Sequence, residues 1–296
     1  RINIVVTGCA SQINPSKFKE MEQVDFVIGN NEKIRNQTWK NINSIKDSKI
    51  SNIMKIKEVN NNIVENFDGS ARAYVEIQQG CNHRCTFCII PYGRGNNRSI
   101  PIGLIVKRVK KLVSNNYNEI VLTGVDITDY GLDLPGQPSL AQMIKRLLKI
   151  VPELKQLRLS SIDCSEINED FWNLLKSEER LMPHLHISLQ AGDDLILKRM
   201  KRRHNRSQAL EFCHKAKKIR PNIVLGADLI AGFPTENDEM FNNTCSLIKE
   251  CDLTYLHVFP YSQREDTPAS KMPQVPNQIK KFRAKFLRQI GKEQLN

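Results

Sequence analysis

The sequence predicts an α/β fold, and three observations carry that expectation. Six apolar runs of strand length recur after Ala71, each followed by a stretch of helical periodicity. Strands that alternate with helices pair in parallel through right-handed crossovers, which makes a barrel, open or closed, with fewer units than the eight of a TIM barrel. Hydrophobic residues form 40% of the 296, enough for a sizeable core. No uninterrupted apolar run approaches the roughly 18 residues of a membrane span, so no membrane association is expected.

Ahead of the barrel, residues 1–45 read as a broken α/β unit. Ile2–Thr7 and Val24–Ile28 are short apolar strands, and Glu32–Ile45 reads as a helix between polar flanks. Residues 46–70, rich in Lys, Asn and Ser, read as a linker with one edge strand. From there the barrel domain is expected to fill residues 71–296. Its strands are expected at Ala73–Gln78, Glu119–Thr123, Gln156–Ser161, Leu185–Leu189, Val224–Ile230 and Tyr255–Phe259. The intervening helices are expected at about 101–115, 139–150, 166–177, 206–219 and 236–250, with Ser139 as an N-cap. A last, strongly basic helix is expected over about 277–295. The chain opens on Arg-Ile-Asn-Ile-Val-Val-Thr-Gly-Cys, with neither an initiator Met nor a signal-peptide pattern, and reads as a fragment that starts inside a strand.

Lys and Arg exceed Asp and Glu by 44 to 32, a net charge of +12 that favours a polyanionic partner. The densest basic stretch is Lys198, Arg199, Lys201, Arg202, Arg203 and Arg206, open to two readings: phosphate contact, or a solvated helix face. Eight cysteines in a chain of this size do not make a small secreted disulfide scaffold, and a reducing cytoplasm is the natural compartment. Cys164, Cys213, Cys245 and Cys251 read as ordinary thiols. His184, His186 and His257 read as packed or locally hydrogen-bonded strand residues.

The first barrel strand runs into Gly80-Cys81-Asn82-His83-Arg84-Cys85-Thr86-Phe87-Cys88. Three thiolates at this spacing suit one face of a 4Fe–4S cluster and leave its fourth iron without a protein ligand. An open iron is what a cluster needs to act on a substrate. Zinc is the competitor, since Cys85 and Cys88 have knuckle spacing and His83 is near, but no second Cys/His pair follows.

A Cys-x-x-x-Cys-x-x-Cys loop after the first strand of a six-unit barrel resembles the radical S-adenosylmethionine superfamily. The resemblance implies an open six-stranded partial TIM barrel. It also implies that S-adenosylmethionine chelates the open iron and is cleaved by one electron to methionine and a 5′-deoxyadenosyl radical. Phe87 matches an aromatic that packs near the adenine of that cofactor. Thr123 and Gly124, which alone would read as a turn, match the strand end that approaches its amine. Ser188 and Gln190 lie on one strand face, either bound to its ribose and methionine parts or forming a buried satisfied pair. Ile230 and Gly232 match a Gly-x-Ile-x-Gly element beside the adenine, although Gly232 also suits a tight turn and Thr235 a helix cap.

Thr7-Gly8-Cys9-Ala10-Ser11-Gln12, about 70 residues before Gly-Cys-x-x-x-Cys-Thr-Phe-Cys-Ile-Ile-Pro-Tyr-x-Arg-Gly, resembles the methylthiotransferases of that superfamily. Their flavodoxin-like N-terminal domain supplies three cysteines to a second, auxiliary 4Fe–4S cluster, and Cys9 matches the third. The resemblance implies two clusters in the full-length protein, with the other two auxiliary ligands upstream of Arg1 and a small RNA-binding barrel beyond the last helix. It implies tRNA as substrate, an electron donor such as a flavodoxin or ferredoxin, and a monomer.

The stretches 124–131, 157–163, 181–194 and 226–236 look like the subgroup acting at C2 of N6-threonylcarbamoyladenosine, position 37 of tRNA. Where the isopentenyladenosine subgroup shows Gly-Gln-Asn, this chain has Gly124-Val125-Asp126. A threonyl carboxylate needs cationic or multiply hydrogen-bonding partners, and Arg94 and Arg98 are the candidates. The alternatives are isopentenyladenosine in tRNA, a ribosomal-protein aspartate, or a non-enzymatic RNA-binding or iron-sensing protein.

Overall fold

The computed structural model describes residues 2–45, 48–57, 59, 64, 66–67 and 69–295. The N-terminal part contains β1 (Val5–Thr7), α1 (Cys9–Ile13), α2 (Pro15–Lys19), β2 (Phe26–Ile28), α3 (Asn36–Lys40) and β3 (Ser48–Lys49). Its strands form one parallel sheet in the order β1-β2-β3. The helix expected over Glu32–Ile45 shrinks to α3 and a single 3-10 turn at Ile42–Ser44. Asn36, Asn41 and Asn43 are poor helix formers that compete for backbone partners. Glu32 is also drawn inward, almost fully buried, where its carboxylate accepts from the Ser51 hydroxyl. Within 46–70 the expected edge strand is β3, laid on β2. Residues 46–47, 58, 60–63, 65 and 68 of that stretch lie outside the described residues.

The barrel follows as β4 (Arg72–Glu76), β5 (Gln78–Gln79), α4 (Ile90–Arg94), β6 (Arg98–Ser99), α5 (Ile102–Ser114), β7 (Glu119–Thr123) and α6 (Leu140–Ile150). It continues with β8 (Gln156–Leu159), β9 (Ser161–Ile162), α7 (Glu169–Ser177), β10 (His184–Gln190), α8 (Asp194–Met200) and α9 (Arg206–Ile219). It ends with β11 (Val224–Ala231), α10 (Asp238–Glu250), β12 (Leu253–Pro260) and α11 (Asn277–Glu293). The ladders β4-β7-β8 and β9-β10-β11-β12 are parallel throughout. β8 and β9 are halves of one strand position interrupted at Ser160, whose N–H still bonds the Leu122 carbonyl at 3.0 Å. The six strand positions therefore stand in sequence order, and among the described residues no ladder returns from β12 to β4. The barrel is open.

Period-two alternation decides what each strand offers to either face. Leu185, Ile187 and Leu189 of β10 and Leu225, Ala227 and Leu229 of β11 are buried against the outer helices. Each such leucine contributes roughly 1.5–3 kcal/mol by leaving water. α6 answers with Leu140, Met143, Ile144, Leu147 and Leu148, and begins with a complete capping box between Ser139 and Gln142. The other strand face lines the lumen. α8 was not expected; its last turn opens the basic stretch, and its start is capped by Asp193, whose carboxylate accepts from the Leu195 and Ile196 N–H groups. No helix among the described residues is long and apolar enough to cross a membrane.

Candidate active site

The three-cysteine loop is pinned to the rim on every side. Gly80 enters it at φ +70°, where a Cβ would overlap the Asn96 carbonyl. The Cys81 N–H bonds the Gly95 carbonyl at 3.1 Å, and the Cys88 N–H bonds that of Cys85 at 3.1 Å. Thr86 donates its N–H to the Met200 carbonyl and its hydroxyl to the Arg199 carbonyl, and accepts from the Ala269 N–H. All three thiols are half-buried. Burial first, then Asp126 and the neighbouring Cys85 and Cys88, push the Cys81 thiol up to about 12. Burial also raises Cys88.

Adjacent thiols that resist ionisation on their own are a donor set suited to bound iron, whose positive charge offsets that resistance. The loop thus fits a 4Fe–4S cluster. His83 is taken by carboxylates instead, its Nε2 lying 2.8 Å from Asp126 and 3.1 Å from Glu166. Two residues that the sequence did not assign to the three-cysteine loop complete the surroundings. Arg202, almost buried, points an amino group at the Cys85 sulfur across 3.9 Å and is held there by Asp163 at 2.7 Å and the Ser188 carbonyl at 2.6 Å. Gln78, fully buried, accepts from the Val125 and Asp126 N–H groups and donates to the Gly80 carbonyl and to Asn97.

The positions assigned to the cofactor gather at this rim. Phe87 packs edge-on against Phe233 at 6.4 Å between centroids, and Phe233 against Tyr261 at 5.6 Å. Ile230 packs in the same apolar cluster. Thr123 closes β7, and a Cβ on Gly124 would come within 2.8 Å of the Gln78 side chain. Ser188 and Gln190 share the inward face of β10, with Gln190 at φ +72°. Gly232 sits at φ +71°, and a Cβ there would meet Lys280 of α11 at 2.6 Å. Thr235 caps nothing: it lies at φ +70° and accepts from Arg199 at 2.7 Å, while Asn237 caps α10.

Cys9 opens α1 directly beside α4, so close that a Cβ on Gly93 would stand 2.9 Å from the Cys9 Cβ. Asn30 donates to the Cys9 sulfur at 3.6 Å and to the Gly93 carbonyl at 2.6 Å. With α4 rising 1.5 Å per residue, Cys9 lies on the order of 10 Å from the three-cysteine loop.

The two arginines expected to meet substrate differ in their surroundings. Arg94 gives its Nε hydrogen to Cys9. Arg98 is turned inward by the antiparallel pairing of β6 with β5, 4% exposed, and bonds Gln79 and the Asn96 and Arg94 carbonyls. The basic stretch after β10 divides. Arg199, Arg202 and Arg206 are tied within the chain, Arg206 to the Gly192 and Asn243 carbonyls and Glu250, and Arg203 reaches Glu166 from the surface. Lys198 and Lys201 remain exposed.

Known proteins match this arrangement. The radical SAM superfamily model matches residues 75–248. The threonylcarbamoyladenosine tRNA methylthiotransferase MtaB of Rickettsia prowazekii is 58% identical over 297 residues, covering 100% of this chain and 70% of that protein. Its namesake from Aquifex aeolicus is 37% identical, covering 98% and 71%. A tRNA-2-methylthio-N(6)-dimethylallyladenosine synthase of Clostridium botulinum is 35% identical, covering 98% and 65%. Among solved structures, the cobalamin-dependent radical enzyme OxsB superposes with a TM-score of 0.63 at 12% identity, covering 99% of this chain and 43% of that one. The coproporphyrinogen III oxidase HemN of Escherichia coli gives 0.55 at 20% identity, covering 74% and 53%. These last two support the fold alone. With its three-cysteine loop at the mouth of an open parallel barrel, and with relatives this close over its whole length, the chain belongs to the radical S-adenosylmethionine superfamily and, within it, to the MtaB family of methylthiotransferases.

Proposed function

We propose that this chain is part of an enzyme that inserts a methylthio group at C2 of N6-threonylcarbamoyladenosine, position 37 of tRNA. The observation that carries the reading is the 58% identity over the entire chain to a relative of that name, coupled to the Cys81, Cys85 and Cys88 loop at the barrel mouth. The C2–H bond of adenine is neither acidic nor electrophilic, so acid–base chemistry does not reach it. With its cluster and S-adenosylmethionine bound, a radical S-adenosylmethionine site supplies the one-electron cleavage that yields a radical able to break such a bond.

The chain's own residues do the holding. Cys81, Cys85 and Cys88 ligate the cluster, and Arg202 sets a positive charge against one ligand sulfur. Gln78 fixes the Gly124–Asp126 backbone beside the loop. Phe87, Ile230 and Phe233 form a dry flank for the cofactor's adenine. Cys9, beside the cationic Arg94, is one ligand of a second 4Fe–4S cluster. A flavodoxin or ferredoxin delivers the electron, and the enzyme works as a cytoplasmic monomer.

The test is anaerobic reconstitution followed by nucleoside mass spectrometry. The intact protein is expected to form 5′-deoxyadenosine and to convert threonylcarbamoyladenosine in tRNA to its methylthio derivative, and Cys85→Ala is expected to form neither. Normal 5′-deoxyadenosine production by Cys85→Ala, or loss of only the isopentenyl methylthio nucleoside from a strain lacking the gene, would overturn the reading.

A further inference from the structure

With Arg98 buried, the polar group of the substrate calls for partners beyond Arg94, and the lumen face of the last three strands offers them. His186 on β10, Asp228 on β11 and His257 on β12 occupy inward positions on adjacent strands. One Asp228 oxygen, Oδ1, lies 3.0 Å from His186 Nε2 and 3.3 Å from His257 Nδ1, and the two imidazoles stand 4.4 Å apart. Gly226 makes the arrangement possible, because a Cβ there would come within 2.7 Å of His186 Nδ1.

We propose that this His186–Asp228–His257 wall is the subsite for the hydroxy-acid side group carried on N6 of the substrate adenosine, an inference that rests on the substrate reading above. Asp228 fixes Nδ1 of His257, which sets where Nε2 stands. The His257 side chain is 63% exposed to the lumen, so that nitrogen is presented to a ligand. As imidazolium it donates to a carboxylate, and as neutral imidazole it accepts from a hydroxyl; Asp228 Oδ2 is a second acceptor. A side group bearing a carboxylate, a hydroxyl and a ureido N–H uses all of them.

The depth also fits. His186 and Asp228 lie two residues below Ser188 and Ile230, roughly 7 Å beneath the rim where the cluster loop sits. C2 and C6 flank N1 on one six-membered ring, so their outward bonds diverge. A base with C2 at the rim can thus set its N6 substituent against the lumen wall. Tyr255 and Phe259 flank His257 on the same strand face, about half exposed, and present ring faces to a base. An isopentenyl group would strip water from the wall and return no hydrogen bond, the situation in which a polar site discriminates most strongly.

The experiment compares binding of two anticodon stem-loops by the reconstituted protein, identical except for a threonylcarbamoyl or an isopentenyl group on N6. The wild type is expected to prefer the first. His257→Ala is expected to reduce that preference roughly tenfold or more, and His257→Gln, which keeps a donor and an acceptor, to restore part of it. Asp228 acts through its neighbours as a positioning residue, so Asp228→Asn is expected to fall between. Wild-type iron content in each variant checks that the cluster loop is intact. Full preference retained by both His257→Ala and Asp228→Asn overturns the subsite. A wild type that prefers the isopentenyl loop overturns the substrate reading, and this proposal with it.

Discussion

Arg94 donates its Nε hydrogen to the sulfur of Cys9 across 3.0 Å, joining residues 85 positions apart. A neutral thiol in the core needs no such partner, whereas a sulfur carrying negative charge gains a charge-assisted hydrogen bond from one. Lys33 adds to the cationic surroundings: burial, then the charge of Arg94, lowers its pKa, and Cys9 opposes that shift. In the full-length protein, Cys9→Ala is expected to reduce iron from about eight to about four per chain, with 5′-deoxyadenosine formation retained and sulfur insertion lost. Arg94→Met is expected to lower iron occupancy partway. Unchanged iron in Cys9→Ala would make Cys9 a core thiol only.

Gly93 is where α4 comes closest to Cys9 of α1. A leucine there must push α1 away, since even a Cβ would stand 2.9 Å from that of Cys9. Overpacking of this kind costs about 1–3 kcal/mol. Limited proteolysis of Gly93→Leu is expected to cut first within the N-terminal fifty residues, leaving the barrel intact. Equal resistance of variant and wild type would show that the contact yields freely.

Arg202 and Asp163 form a buried pair behind Cys85. Burial alone would raise the Asp163 carboxyl, but the adjacent His204 imidazole, the charge of Arg202 and hydrogen bonds from Ser165 outweigh it and hold the carboxyl well below the usual carboxylate range. Arg202→Met strands that carboxylate and is expected to cost about 3–5 kcal/mol in denaturant unfolding. Arg202→Met combined with Asp163→Leu is expected to recover part of the loss, because the two sites are in contact. Simple additivity in the double variant would refute the coupling.

His184 supplies a pH signature. Burial, then the charges of Arg158, His186, Arg72 and His257, push its imidazole down from 6.5 to about 4. The folded state therefore binds a proton less readily than the unfolded chain. The stability His184 confers is present above pH 6.5 and is lost as pH falls toward 4. Urea midpoints compared between wild type and His184→Asn across that interval are expected to diverge, with the variant flatter. Parallel profiles would place the titration elsewhere.

What the sequence made legible is what local pattern encodes. Strand ends and helices followed from period-two and period-3.6 alternation, and the three-cysteine loop from spacing alone. The fates of Arg94 and Arg98 were hidden, because they depend on β6 pairing back on β5 and on α1 landing against α4. Neither leaves a trace within a short window. Gln78 looked like the last residue of a strand; its importance comes from β7 lying next to β4. His186, Asp228 and His257 each read as a lone polar residue until the strand order set them side by side. The Asn-rich stretch after Glu32 misled in the opposite direction, its helical spacing overridden by the pull of a buried carboxylate.

Among the described residues no ladder joins β12 to β4, and this has a mechanical meaning. In a closed barrel, girth is set by strand number and shear. Here the mouth is laced by loop contacts instead: Thr86 bonds Met200 and Arg199 on one side and Ala269 on the other, and Phe87 packs against Phe233. The three-cysteine loop is thus also the lacing of the cylinder, and it ties the far strands to the first without a shared strand register.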